Sequence, residues 1–141
     1  MNTTSTSAKV TLHTMKEMHV TPRDPAQDIR SRKIVDTRGE PLGKIEALLV
    51  DDQEDKVRFL RVASGGFLGI GRDKALIPVE AITEITDDVV RVNQTRQRIS
   101  GAPMYDPALV DDNYYEGLYG YYGYGPYWGL GYVYPPYPYY P

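Results

Sequence analysis

The 141 residues suit one domain with appended segments, at roughly 100–200 residues per domain, and their net charge is a modest -3. Cysteine is absent, which excludes a disulfide framework, a thiolate zinc site and a thiol nucleophile. Composition divides the chain in two: residues 28–100 hold 13 Lys/Arg and 13 Asp/Glu, whereas residues 101–141 hold four acids, no Lys or Arg, all thirteen tyrosines, the single Trp128 and seven of the eleven prolines.

The Ser/Thr-rich start lacks the apolar run of a secretory signal. Residues 117–141 are uncharged, but Pro126, Pro135, Pro136, Pro138 and six glycines oppose a spanning helix there. Membrane contact is therefore expected only peripherally, and the expected location is cytoplasmic. Residues 1–21 read as a flexible lead-in. Within it Val10, Leu12, Met15, Met18 and Val20 fit either a short docking strand or a helical turn. Thr21-Pro22-Arg23-Asp24-Pro25 is a breaker.

Strand signals follow in series. Lys33–Asp36 is the first, and Thr37-Arg38-Gly39-Glu40 turns the chain. Leu42–Val50 is the second, with Ile45, Ala47 and Leu49 on one face and Lys44 and Glu46 on the other. Asp51–Asp55 reads as a solvated hairpin tip, and Val57–Ala63 is the third strand. Ala75–Val79, Ile82–Thr86 and Val89–Val92 complete the set, with Asp87-Asp88 as a two-residue hairpin loop. Asn93–Ile99 reads as a short helical piece capped by Asn93 and stopped by Gly101 and Pro103.

Six short strands in so few residues predict an all-β domain over residues 22–103. The expected architecture is a small six-stranded barrel, since closure removes exposed edges. A short C-terminal helical turn and an irregular aromatic tail over 104–141 follow it. The expected core is Ile34, Ile45, Ala47, Leu49, Val57, Phe59, Val62, Leu76, Ile77, Val79, Ile82, Ile85, Val90 and Val92.

The succession Asp28-Ile29-Arg30, Val35-Asp36, Gly39-Glu40, Leu42-Gly43-Lys44-Ile45 and Leu48-Leu49-Val50-Asp51 resembles a PRC-barrel domain. So does its continuation through Val57-Arg58-Phe59-Leu60, Gly65-Gly66-Phe67-Leu68-Gly69, Leu76-Ile77-Pro78-Val79 and Ala81-Ile82. This module forms the cytoplasmic part of the photosynthetic reaction-centre H subunit and the C-terminal domain of a ribosome maturation factor. The chain is similar to a stand-alone bacterial branch with an aromatic tail. The resemblance implies a PRC-type β-barrel and a non-catalytic adaptor of proteins or ribonucleoproteins. No counterpart of the H subunit's transmembrane helix or of the ribosome factor's additional N-terminal barrel is expected in these residues.

Side chains that could carry chemistry read as structural. Gly66 and Gly71 have P-loop spacing, but Arg72-Asp73 replaces Lys-Ser/Thr and a strand follows, so no nucleotide is expected. Phe67, Leu68 and Ile70 in that loop are either a lid over the barrel end or an exposed contact site. Asp51, Asp52, Glu54 and Asp55 lack the glycine and glutamate positions of a calcium loop. His13 and His19 have no third ligand at zinc spacing. No catalytic group, cofactor or metal is expected. Glu46, Glu80 and Glu84 are expected to pair with Arg58, Arg61 and Arg91 on the exterior.

The tail has aromatic platforms without cations, and the basic residues Arg30, Arg32, Lys33, Arg96 and Arg98 are balanced by acids. No DNA partner is expected, and RNA is disfavoured. Tyr-Gly spacing gives amphipathic rings on a mobile backbone. Three readings of the tail stay open: self-association, docking on a partner's groove, or wrapping the chain's own barrel. The first-ranked function is a non-catalytic protein-interaction or scaffold module, with Phe67, Leu68, Ile70, Tyr121, Tyr122 and Trp128 as the candidate surface. The alternatives are a peripheral membrane or photosynthetic-assembly accessory and a ribonucleoprotein-assembly adaptor. A stress-related role is compatible with the resemblance, though the residues supply no mechanism for it.

Overall fold

A computed structural model describes residues 12–18, 28–51, 56–63, 74–103, 105, 112–129, 131–132 and 135. The elements in chain order are β1 (Leu12–Thr14), α1 (Met15–Met18), β2 (Lys33–Val35), β3 (Pro41–Asp51), β4 (Lys56–Ala63), β5 (Lys74–Pro78), a 3-10 turn (Val79–Ala81), β6 (Ile82–Ile85), β7 (Val89–Val92), α2 (Arg96–Ser100) and α3 (Asp112–Tyr122). The all-β class holds. Every strand read from alternation is present, and the N-terminal segment adds a seventh.

The ambiguity before residue 20 resolves as strand and helix together. Thr14 closes β1 and caps α1: its Oγ1 accepts from the Glu17 N–H at 3.0 Å, while Glu17 Oε1 accepts from the Thr14 N–H at 2.8 Å. This reciprocal pair satisfies two otherwise orphaned donors. It points Met15 into the core, where it is fully buried.

The strand order is β5-β4-β3-β2-β7-β6, and β1 adds to β3. The eleven-residue β3 organises the sheet. One edge pairs with β4 along most of its length, while the other is shared by β2 and β1. β2 and β7 pair in parallel, which a chain of hairpins does not produce. The expected closed, six-stranded barrel is thus corrected: β5 and β6 are the two ends of the path, and no ladder joins them among the described residues. Only the three-residue turn Val79–Ala81 separates these strands in sequence, so the sheet curls to bring its edges together at that corner.

Two bulges change which residues face inward. The β3–β4 register jumps between Ile45 and Ala47 and again between Leu49 and Val50. An extra residue inverts the alternation beyond it. Leu48 and Val50 therefore join Ile45, Leu60 and Val62 on one face, while Ala47 and Leu49 share the other face with Arg61 and Phe59. Both faces are buried along this stretch. The expected core residues are buried, except Ile82 and Ile85, which pack half-buried at its margin.

The helix cap also differs from expectation. Thr95, not Asn93, begins α2, with its Oγ1 accepting from the Arg98 N–H at 3.1 Å. Asn93 is left to bond the tail: its Nδ2 lies 3.0 Å from the Tyr124 hydroxyl.

Candidate functional site

The tail is not irregular where it is described. Tyr115, Leu118, Tyr119 and Tyr122 recur at i, i+3, i+4 and i+7, the stripe of a helix with one buried face. All four are buried in α3. The helix ends where Gly123 takes φ +88°, a conformation that costs glycine little. The Gly123 N–H then reaches the Gly120 carbonyl at 3.1 Å, and the Tyr124 N–H reaches the Tyr119 carbonyl at 2.9 Å. These paired bonds satisfy the last carbonyls of the helix.

What α3 covers is set by the second bulge. Phe59 lies opposite Leu49 and Val57 opposite Val50, so Arg58 is the extra residue of β4. The bulge brings Arg58 and Phe59 to the same side of the sheet, and the tail closes over both. Phe59 stacks on Tyr115 at 5.5 Å between centroids and meets Tyr119 at 5.0 Å. The Arg58 guanidinium sits 4.1 Å from the Tyr127 ring centre. Trp128 meets Tyr119 edge-on at 5.9 Å.

Arg58 was expected on the exterior, and Asp51 at a solvated tip. Both are buried: Arg58 Nε donates to Asp51 Oδ2 at 2.6 Å, with the two side chains 1% and 3% exposed. The expected surface pairs Arg61–Glu46 and Arg91–Glu84 are present at 3.1 and 3.3 Å. Glu80 instead turns towards the tail and accepts a hydrogen bond from the Tyr132 hydroxyl.

Burial pushes the Glu80 carboxyl above its ordinary value, partly offset by the Tyr132 hydrogen bond and by Arg58. Among the described residues its other oxygen, Oε1, is buried without a hydrogen-bond partner, as is the Tyr119 hydroxyl. Burial likewise raises Tyr132 and Tyr119, and Glu80 adds to both shifts. A cavity of about 320 Å³ adjoins this cluster, lined by Glu80, Tyr124, Pro126, Tyr132 and four glycines. The site is an aromatic layer over charged and polar groups, with ion pairing and hydrogen bonding as its chemistry.

Of the candidate contact residues, Tyr122 is 4% exposed, inside the shared core. Tyr121 and Trp128 are half-buried at the rim. Tyr121 binds α2: its hydroxyl donates to the Arg98 carbonyl at 2.6 Å, and the Arg98 guanidinium lies 4.7 Å from its ring centre. Phe67, Leu68 and Ile70 lie outside the described residues, as do the glycine loop, His19, Asp52, Glu54 and Asp55. His13 lies in β1 opposite Val50. Among the described residues no group of three or more His, Asp or Glu could hold a metal ion, and no helix is long and apolar enough to cross a membrane. Arg30, Arg32 and Lys33 gather with Lys44 at one groove, but Asp87 and Asp88 line it too, while Arg96 and Arg98 belong to α2.

The signals for this site were in the sequence. The spacing of Tyr115, Leu118, Tyr119 and Tyr122 before Gly123 marks a helix, and Arg58 interrupts an apolar strand. No curated protein matches the chain. The family model described as PRC-barrel domain matches residues 23–99, more than half of the sequence. The chain belongs to the PRC-barrel domain family.

Proposed function

We propose that the chain is a non-catalytic protein-interaction or scaffold module that contacts a protein partner, its own copies included, through its aromatic surface. The observation that carries this reading is the aromatic layer itself. A β-sheet of this family has a face that accepts a tyrosine-lined helix, with Phe59 stacked on Tyr115 and Tyr119 and Arg58 beneath Tyr127. Tyrosine and tryptophan bury a large ring while keeping a polar handle, which suits them to contacts between chains. Tyr121 and Trp128 at the rim are the proposed contact residues, and Phe67, Leu68 and Ile70 extend the proposed surface.

The test is site-specific photo-crosslinking. A photoreactive phenylalanine analogue replaces Trp128, Tyr121 or Phe67 in turn, and the full chain is irradiated in its native cells. Discrete protein adducts, either a second copy or another chain, are expected from at least the two tail positions. No adduct at any of the three positions, with the chain folded and expressed, contradicts the reading.

A further inference from the structure

The helix α3 carries a cost that its packing does not require. Gly117 and Gly120 sit in its interior on the exposed side, and a Cβ built at either meets nothing within 4 Å. Neither has a left-handed φ, so alanine fits both places. Each glycine nevertheless lowers the helical equilibrium about fourfold relative to alanine. The helix is therefore held by the surface beneath it more than by its own propensity.

The contacts holding it suit a removable cover. At its margins the tail is joined to the sheet domain by hydrogen bonds that water can replace: Tyr121 to Arg98, Tyr124 to Asn93 and Tyr132 to Glu80. Beneath it lies an ion pair, Arg58–Asp51, where a packed apolar pair would serve a permanent interior as well or better. An ion pair tolerates both a covered and a water-exposed state. The family match ends at residue 99, and α3 begins at Asp112, so the cover lies outside the matched module.

We propose that the sheet face bearing Phe59 and Arg58 is a docking surface for aromatic helices. In this proposal α3 occupies the face in cis, and a partner's helix takes its place. The occupant's chemistry follows from the cis occupant: an amphipathic helix with aromatic residues at i and i+4 over Phe59, further apolar residues at i+3 and i+7, and an aromatic ring beyond its C-terminal turn to cover Arg58. The proposal rests on the interaction-module reading and names the face and the partner class.

The experiment measures binding of a fluorescent peptide spanning residues 111–132 to three forms of the full chain. Gly117→Ala with Gly120→Ala strengthens the cis helix. Glu116→Pro, at an exposed position of α3, breaks it. Apparent affinity scales with the fraction of molecules whose face is uncovered. The double alanine form is therefore expected to bind the peptide about twentyfold more weakly than the natural chain. Glu116→Pro is expected to bind it most tightly, with its β-sheet circular dichroism and the slow exchange of β4 amides retained. Equal affinities across the series overturn the proposal. So does absence of binding to a folded Glu116→Pro chain, or loss of the sheet with the helix in that variant, which makes α3 an inseparable part of the core. Flat affinities alongside persistent cross-links at Tyr121 or Trp128 sink the docking face alone; loss of the cross-links sinks the module reading.

Discussion

Substituting Asp51 by Asn isolates the energetics of the covered ion pair. The change is nearly isosteric but removes the carboxylate that faces Arg58 at 2.6 Å, in a place where the arginine side chain is only 1% exposed. A guanidinium enclosed without its counter-charge costs about 3–5 kcal/mol. The Tyr127 ring at 4.1 Å faces the guanidinium in both forms and so does not alter that difference. Lifting of the tail holds the loss to the low end of that range, because water can then reach the cation. The expected destabilisation is therefore about 3 kcal/mol, a large part of the roughly 5–15 kcal/mol typical of a domain. At the usual urea slope of about 1–3 kcal/mol per molar, the midpoint falls by at least about 1 M. Trp128 is the only tryptophan and lies within the aromatic layer, so its fluorescence follows the tail while far-ultraviolet circular dichroism follows the sheet. Replacing both partners, as Asp51→Leu with Arg58→Met, removes both charges of the pair and is expected to be near neutral or stabilising. The reasoning fails if the single variant loses less than about 1 kcal/mol, or if the double variant loses as much as the single.

Other expectations follow from single contacts. Thr14→Ala removes the reciprocal cap of α1 and should cost about 1 kcal/mol, read from a urea midpoint; an unchanged midpoint means that β1 and α1 do not contribute to the cooperative fold. A Cβ on Gly101 comes within 2.9 Å of the Tyr121 hydroxyl, so Gly101→Ala should cost about 1 kcal/mol by displacing the bond to Arg98, and nothing in a Tyr121→Phe background; equal costs in both backgrounds contradict the clasp. Burial raises Glu80 above its ordinary 4.5, so the stability it contributes is complete below that value and is lost as pH rises through the folded value. Glu80→Gln should therefore melt higher than the natural chain at pH 8, with the gap closing as pH falls below about 4.5; a gap that does not vary with pH refutes the assignment. Glu17, Asp28 and Glu46 are held below their ordinary values, Glu17 mainly by the Thr14 backbone, Asp28 by Arg30, and Glu46 by Lys74 and Arg61 against the opposing effect of burial. Their contributions have the opposite sign and disappear in acid. Tyr119→Phe deletes a buried hydroxyl that has no partner among the described residues and should stabilise by about 1 kcal/mol, whereas Tyr124→Phe, which loses the Asn93 bond at 3.0 Å, should destabilise; the reverse order in urea midpoints refutes the contrast.

The strands were legible because local chemistry and tertiary context agree in them. Val57–Ala63 and Val89–Val92 are β-branched or apolar runs bounded by polar turns. What alternation missed were the bulges, since a register shift belongs to two strands at once and leaves no mark on either alone. Alternation alone puts Ala47 and Leu49 on the face of Ile45, whereas the bulge puts Leu48 and Val50 there. Arg58 exposed the conflict: strict alternation sets it on one face with Leu60 and Val62, which an uninterrupted strand would place in the apolar interior. The capping pair Thr14 and Glu17 was visible as Thr-x-x-Glu, yet apolar spacing alone left strand and helix unresolved. In the tail, glycine and tyrosine composition concealed a 3.6-residue period, and the positive-φ glycine at 123 that ends the helix reads in isolation as one more breaker.

The choice of tyrosine over phenylalanine in the tail follows from what surrounds each ring. A segment laid on a sheet must bury apolar area and also satisfy the polar groups it crosses, because each one left unmade costs about 1–3 kcal/mol. Phenylalanine meets only the first demand. The hydroxyls of Tyr121, Tyr124 and Tyr132 reach the Arg98 carbonyl, the Asn93 side chain and the Glu80 carboxylate, anchors from α2, the end of β7 and the 3-10 turn. Three elements of the sheet domain are thus tied to one helix and the loop after it, with rings as the apolar layer and hydroxyls as its pins. Tyr119 departs from this rule, its ring against Phe59 and its hydroxyl, beside Glu80, unbonded among the described residues. Retention of that hydroxyl makes sense if the ring is not always buried, since water satisfies it whenever the helix lifts. The same argument covers Glu80, whose buried oxygen is costly only while the tail is down. Both groups therefore weigh against the covered state, in the same direction as Gly117 and Gly120.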